Sequence, residues 1–364
     1  MTASIAPARR VAYTVVRRVF EDSAYADRVL ESEGAELDSR DRALAQRLAY
    51  GTVQRARTID YGLEQIGGRP VRKLDPPVLA ALRLAGYELA WSDAPAHAVA
   101  DDAVELVRAA RLERATAFTN AVARRLATSF RGLVASLPDG ALKESYPDWI
   151  AEVWERDFGG EEALALMRAQ NEPPPADDRG MSRASKLVVD VVASAPGDRV
   201  LDACAAPGNK TLLLHGEITA VERNPGRARR LADRVPTGVV VRNVDVRELD
   251  ADGFDKALVD APCSGLGVLN RRPDLRWRAR PLPELQLDIL RAAAKRTRPG
   301  GTIVYSVCTL NADENEAVVD ALGLEPEPLG AEWPQYAHPT RPEFLLTSPH
   351  RDRTSGFFIA RLRR

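Results

Sequence analysis

Three cysteines occur in this chain of 364 residues, and each lies at or just beyond the end of an apolar run that reads as a β-strand. Cys204 follows Arg199-Val-Leu-Asp-Ala, Cys263 follows Phe254-Asp-Lys-Ala-Leu-Val-Asp-Ala-Pro, and Cys308 follows Gly301-Thr-Ile-Val-Tyr-Ser-Val. A thiol becomes a strong nucleophile when its pKa is depressed, and in an open parallel sheet ligands and reacting groups gather outside the strands' carboxyl ends. The three thiols are therefore expected to share one crevice, although cysteine is also a small residue that is often simply buried. The first run continues through Ala203-Cys-Ala-Ala-Pro-Gly-Asn-Lys210 into a helix start. Such small residues let backbone approach a ligand, and a helix start offers free N–H groups and a positive dipole end, which together describe a nucleotide-type pocket.

The elements that must hold these residues alternate as an open α/β sheet requires. Strands are expected at 199–204, 217–222, 239–245, 254–260, 301–307 and 356–362, with helices between most of them and a hairpin-like pair near 344–362. Glu222 falls about twenty residues past the first strand, where an acidic side chain accepts hydrogen bonds from ribose hydroxyls. Between the first two strands Thr211-Leu-Leu-Leu-His-Gly216 leaves room for a helix of one to two turns, shorter than an ordinary crossover.

Residues 6–136 read as entirely helical, from apolar spacings of three and four in stretches such as Val11–Phe20, Ala43–Tyr50, Val78–Tyr87 and Thr119–Leu126. Gly67-Gly68, Pro76-Pro77 and Ser92-Asp-Ala-Pro95 punctuate them. Arg9, Arg10, Arg17 and Arg18 would give this region a basic end suited to phosphate, or a merely solvated helix face. Boundaries are expected at 1–138 for the helical domain, 139–180 for a linker and connecting helix, and 181–364 for the α/β domain.

Hydrophobic content of 45% and charged content of 28% are those of a soluble globular protein. No long apolar run occurs in residues 1–20, so neither a signal peptide nor a membrane span is expected there, and a cytoplasmic location follows. Cysteine and histidine spacing supports neither a disulfide framework nor a metal site. The formal net charge of −1 gives no global signal for nucleic acid, so any RNA affinity must come from local patches. Six of the 51 basic residues are lysines, which makes Lys210 unusual: a compact ammonium suits a pocket too tight for guanidinium.

Asp202-Ala-Cys-Ala-Ala-Pro-Gly-Asn-Lys-Thr211, Asp260-Ala-Pro-Cys-Ser-Gly265 and Tyr305-Ser-Val-Cys-Thr-Leu-Asn-Ala-Asp-Glu-Asn-Glu316 resemble the motifs of RNA cytosine-C5 methyltransferases of the Sun/Nop2 type. Across its length the chain resembles the bacterial members that act on small-subunit (16S) rRNA. The front helices resemble a NusB-like RNA-binding bundle through Leu74–Leu89 and Ala94–Leu106. The resemblance implies an all-α NusB-like domain followed by an α/β Rossmann-like, class I S-adenosylmethionine-dependent methyltransferase domain, with a doubly wound, mostly parallel seven-stranded sheet. It implies Cys308 as the nucleophile, Cys263 as the group that assists release, and Asp260 as a carboxyl for cytosine N3. It places S-adenosylmethionine against Cys204, Ala205, Ala206, Pro207, Gly208, Asn209, Lys210, Glu222, Arg227, Asp245 and Asp260, with Asp245, expected to end the third strand, near the adenine.

The chain departs from the family in four places. Five residues, Ala176 to Gly180, separate Pro175 from Met181, so a small RNA-contacting subdomain of the family is expected to be missing. The helix after the first motif is short. Asn209 replaces a usual glycine, tolerably if positive φ is required, and Val307 replaces a Thr or Ser. The expected partner is RNA, with no membrane or metal, and the chain is expected to be a monomer. The competing reading is a catalytically weak RNA-binding or ribosome-assembly factor that keeps the fold; an amino-group methyltransferase is disfavoured by Pro262-Cys263.

Overall fold

The computed structural model describes residues 5–178 and 180–364. They divide into two compact units, Met1–Asn171 with Leu269–Arg278, and Glu172–Val268 with Ala279–Arg364. The connecting helices after residue 138 group with the first unit as far as Asn171, and the segment Leu269–Arg278 groups with them although it interrupts the α/β sequence.

The first unit is helical, as its periodicity requires: α1 (Pro7–Glu21), α2 (Ala26–Glu33), α3 (Ser39–Gln54), α4 (Ala56–Gly67), α5 (Pro76–Trp91), α6 (Ala96–Ala109), α7 (Thr116–Ser136), α8 (Ala141–Glu144), α9 (Asp148–Phe158) and α10 (Gly160–Ala169). Helix α5 is central, packed by α1, α3, α4, α6 and α7. Its run of Ala80, Ala81, Leu82, Leu84 and Ala85 is buried, which a helix apolar on most sides requires. Pro76 and Pro77 open it, where proline's missing N–H costs nothing.

In the same unit, α13 (Leu275–Arg278) ends the inserted segment. Arg276 is fully buried there. Its guanidinium donates to Gln54 O at 2.8 Å, Ser145 O at 3.1 Å, Asn171 Oδ1 at 3.0 Å and Tyr146 Oη at 2.8 Å, and lies 3.7 Å from the Tyr146 ring centroid. Trp277 Nε1 donates to Val53 O at 2.7 Å. Burial lowers the Arg276 pKa to about 10, and these acceptors offset part of that cost.

Three of the four arginines of α1 expected at its basic end are paired with carboxylates, while Arg10 is exposed and donates to Ile5 O at 3.4 Å. Arg9 pairs with Glu88 at 2.7 Å and Asp102 at 3.0 Å, Arg17 with Glu21 at 2.7 Å, and Arg18 with Asp22 at 3.5 Å and Glu33 at 3.7 Å.

The second unit holds the sheet: β1 (Arg199–Asp202), β2 (Glu217–Val221), β3 (Val240–Arg242), β4 (Phe254–Asp260), β5 (Thr297–Val307), β6 (Leu345–Thr347) and β7 (Phe357–Arg363), in the order β3-β2-β1-β4-β5-β7-β6. Strands β1 to β5 pair in parallel, and β7 is antiparallel to both β5 and β6. Helix α11 (Arg183–Val192) covers the face bearing Val200, Leu258, Val304 and Ile359, while α12 (Pro225–Ala232) packs on β3 and α14 (Pro283–Arg296) on β4 and β5. Strand order reverses between β1 and β4, which puts a crevice at the carboxyl ends of those two strands.

Several boundaries differ from the sequence reading, each for a local reason. Strand β5 starts at Thr297, because register shifts between Phe254 and Lys256 accommodate Arg298-Pro-Gly-Gly301 as a bulge. Strand β3 ends at Arg242, where Asn243 Nδ2 turns to donate to Glu222 O and Arg223 O, so Asp245 heads a 3₁₀ turn instead of ending a strand. Between β1 and β2 the helix start is a single 3₁₀ turn, Thr211–Leu213, too short to supply a helix dipole. Positive φ in the preceding turn falls at Gly208 (96°) and not at Asn209, and a Cβ on Gly208 would meet Leu231 Cδ1 at 2.8 Å. Among the described residues no helix is long and apolar enough to cross a membrane.

Candidate active site

Two side chains bridge the switch point. Lys210, from the loop after β1, donates to Asp260 Oδ2 at 2.6 Å; Asp260 ends β4, and its Oδ1 accepts from Ser306 Oγ at 2.9 Å. Ser306 is the register partner of Asp260 on β5, so strand pairing itself sets that contact. Lys210 Nζ also lies 5.2 Å from the Phe357 ring centroid, and its side chain is 11% exposed, which strengthens the ion pair over a surface one.

Beyond these strand ends, Cys263 Sγ and Cys308 Sγ stand 3.5 Å apart. That is contact distance, well over the roughly 2.05 Å of a disulfide. The Cys263 thiol is pushed well up, first by its hydrogen bond with Cys308 and then by burial. Either sulfur can donate in this contact.

A buried carboxylate holds the two thiol-bearing loops together. Glu314 Oε1 accepts from Ser264 N at 2.9 Å, Gln286 Nε2 at 2.9 Å and Leu282 N at 3.1 Å, and Oε2 accepts from Ser264 Oγ and from Asn311 Nδ2 at 3.3 Å. Ser264 Oγ meets Thr309 Oγ1 at 2.7 Å, and Gln286 Nε2 also donates to Pro262 O at 2.9 Å. Gly267 N donates to Cys308 O at 3.0 Å, and its lack of a side chain lets the Cys263 loop pass Gly356, whose carbonyl would lie 2.0 Å from a Cβ. Glu314 and Gln286 were not expected from sequence as parts of the site; the third motif contains Glu314, but several acids crowd that stretch and nothing local marks which one is buried.

The third thiol, Cys204, stands among Asp202, Asp260, Glu222 and Arg227, and burial raises its pKa. Both Cys204 and Cys263 act electrostatically on Tyr305. Asp202, also unassigned from sequence, is buried at the end of β1, accepts from Thr211 Oγ1 at 2.7 Å, and has its pKa raised to about 6 by burial. Glu222 is buried just past β2; Oε1 accepts from Asn224 N at 2.8 Å, and Oε2 faces Arg227 at 3.3 Å. Arg227 also donates to Ala206 O, tying Glu222 to the Ala205–Lys210 loop. Asp245 is held by Arg247 through bonds of 3.0 and 2.9 Å, which lower its pKa.

Residues 189–363 match the model of the 16S rRNA methyltransferase RsmB/F family, and residues 6–128 that of the NusB family. Ribosomal RNA small subunit methyltransferase B of Thermus thermophilus is 33% identical, the match covering 89% of each chain. The chain belongs to the RsmB/F family of rRNA methyltransferases. The Xanthomonas campestris methyltransferase B is 30% identical, also over 89% of each, and the Salmonella arizonae one 24% identical over 97% of this chain and 98% of that. The crystal structure of PH0851 shares the fold, with a TM-score of 0.76 at 20% identity over the whole of both chains.

The methyl donor expected for this fold suits the residues present. Glu222 would hold ribose hydroxyls with a buried carboxylate, and the small residues Ala203, Ala205, Ala206 and Gly208 would let a ligand approach the backbone beside the Lys210–Asp260 pair.

Proposed function

We propose that this member of the RsmB/F family methylates C5 of cytosine in 16S rRNA with S-adenosylmethionine as donor, through a transient bond between Cys308 Sγ and cytosine C6. The observation that carries the reading is the pair of sulfurs 3.5 Å apart beside the Lys210–Asp260 ion pair, at the point where strand order reverses. Cytosine C5 is a poor nucleophile, so a thiolate must first add at C6, pushing an electron pair into the ring and making C5 the reactive carbon of an enamine. When bound, S-adenosylmethionine supplies an electrophilic methyl group. A water molecule acting as base then takes the C5 proton, the C5–H electron pair restores the C5–C6 double bond, and the C6–S bond breaks with its electron pair returning to Cys308.

The chain's own groups divide this work. Cys308 attacks. Cys263, whose sulfur touches the Cys308 sulfur, assists release of that sulfur at the end. Asp260 and Lys210 form the proton-bearing pair that offers N3 a hydrogen bond while charge develops on the ring. Cys204 to Lys210, Glu222, Arg227, Asp245 and Asp260 hold the donor. The chain also lacks the family's small RNA-contacting subdomain, a reading supported by length: the Salmonella alignment runs over 423 positions against 364 residues here, so at least 59 positions face no residue of this chain. Helix α11 accordingly begins at Arg183, eight residues past Pro175.

The test separates the thiols. With a 16S rRNA transcript and S-adenosylmethionine, Cys308→Ala is expected to lose both methylation and any protein–RNA band on a denaturing gel, and Cys263→Ala to accumulate that band. A band in Cys308→Ala alone would exchange the roles. Intact methylation in both variants with no band would refute the covalent route.

A further inference from the structure

Between Arg223 and Arg242 the chain carries six arginines and one acidic residue, Asp233, although its formal net charge is −1. Two of the six are engaged at the donor loop: Arg227 pairs with Glu222, and Arg234 donates to Pro207 O at 3.1 Å. Arg223, Arg229, Arg230 and Arg242 are exposed, and none of the ion pairs among the described residues includes them. They lie close together by construction. Arg229 and Arg230 are on α12, which packs on β3. Arg242 ends β3 and accepts from Glu222 N at 3.0 Å through its carbonyl, while Asn243 Nδ2 donates to Arg223 O at 3.1 Å. The result is a basic surface on the edge of the sheet, next to the loop Ala205–Lys210. On α1, Arg9, Arg17 and Arg18 are each paired with a carboxylate, which leaves Arg10 as the exposed arginine there without an ion pair among the described residues.

We propose that α12 and the adjoining end of β3 form an RNA-docking surface, with Arg223, Arg229, Arg230 and Arg242 contacting the phosphates of the strand whose base enters the crevice. This rests on the RNA-methylating reading above and says where that RNA is gripped. Guanidinium forks match phosphate oxygens bidentately. No aromatic residue occurs from Arg223 to Arg242, so the surface has nothing on which to stack bases and holds backbone, positioning the RNA without reading its sequence. In a chain without the family's extra RNA-contacting subdomain, this edge supplies the missing charge on the catalytic unit itself.

The test compares the full-length protein with an Arg229→Gln, Arg230→Gln, Arg242→Gln triple variant, reading affinity for a labelled 16S rRNA transcript across a salt series. None of the three touches the donor loop, so S-adenosylhomocysteine should bind the variant as it binds the parent, which also reports an intact fold. Loss of three phosphate contacts should lower the magnitude of the salt slope by about 2 and weaken binding roughly 30-fold near 0.15 M salt. An Arg17→Gln, Arg18→Gln variant in α1 should leave both unchanged. An unchanged slope and affinity in the triple variant, with cofactor binding intact, would overturn the docking surface while leaving the methylation reading in place. So would loss of binding to phosphatidylglycerol vesicles alone, which would assign the patch to a lipid surface. Failure of the parent to bind the transcript at all would count instead against the methylation reading.

Discussion

Asp202 gives a prediction whose size follows from its burial. Its carboxyl is 1% exposed at the end of β1, and Thr211 Oγ1 is the side-chain donor that meets it. Burial raises its pKa from 3.8 to about 6, outweighing the Thr211 bond, and the nearby Asp260 pushes the same way. Between those two values the folded chain holds a proton that the unfolded chain has released, so unfolding stability falls by about 1.4 kcal/mol per pH unit. The contribution is fully present below the unfolded value, is lost as pH rises through about 6, and amounts to roughly 3 kcal/mol over the window. Asn at this position keeps the shape and an acceptor for Thr211 but carries no charge. Asp202→Asn should therefore match the parent near about pH 4 and exceed its stability by up to about 3 kcal/mol at about pH 7. Denaturant titration at several pH values, read by hydrogen–deuterium exchange on peptides from β1 and β4, resolves the second unit from the first. A difference between variant and parent that does not change with pH would refute the buried-proton account.

Two further substitutions probe how the loops are held. Arg276→Met removes the donors to Gln54, Ser145, Asn171 and Tyr146 and should destabilise the helical unit by about 3–5 kcal/mol, as exchange of α3 and α9 peptides would report; Arg276→Lys, with one ammonium for four spread acceptors, should not rescue it, and parent-like stability in either would refute the anchoring role. Glu314→Ala strips the shared acceptor from Ser264, Gln286, Leu282 and Asn311 and so loosens the Cys263 loop against Cys308. Methyl transfer should fall about 100-fold with cofactor affinity unchanged and with faster alkylation of Cys263; equal losses of cofactor affinity would show a general collapse instead.

The parts of the site legible in the sequence were those carried by short-range pattern. Apolar runs ending at Asp202, Asp260 and Val307 specify adjacent parallel strands, and once β1, β4 and β5 are neighbours the loops bearing Lys210, Cys263 and Cys308 must emerge on one edge. Helix periodicity likewise gave the front unit, since each of its long helices buries one stripe. What escaped was set by partners far apart in the chain. Arg9 and Glu88 are 79 residues apart, so nothing local shows that Arg9 is paired. Arg276 sits between the Cys263 loop and α14 in sequence yet meets Gln54, 222 residues earlier, and arginine's usual exposure argues against burying it.

The same distinction explains why the overall charge misleads about RNA. A net charge of −1 averages over guanidinium groups that the fold pairs with carboxylates and others that it leaves exposed. Ion pairs such as Arg83–Asp60 at 2.6 Å and Arg341–Asp320 at 2.8 Å remove those cations from any field a phosphate would meet beyond about 10 Å. Charge that the fold leaves unpaired is what attracts a polyanion. On β3 and α12, Asp233 is the single acid within the arginine run, and the nearest buried one, Glu222, already faces Arg227 and the donor loop. The edge strand thus gains two properties from one set of residues. Its charges repel another copy of the same edge, which keeps an exposed strand from pairing with itself, and they leave it open to RNA.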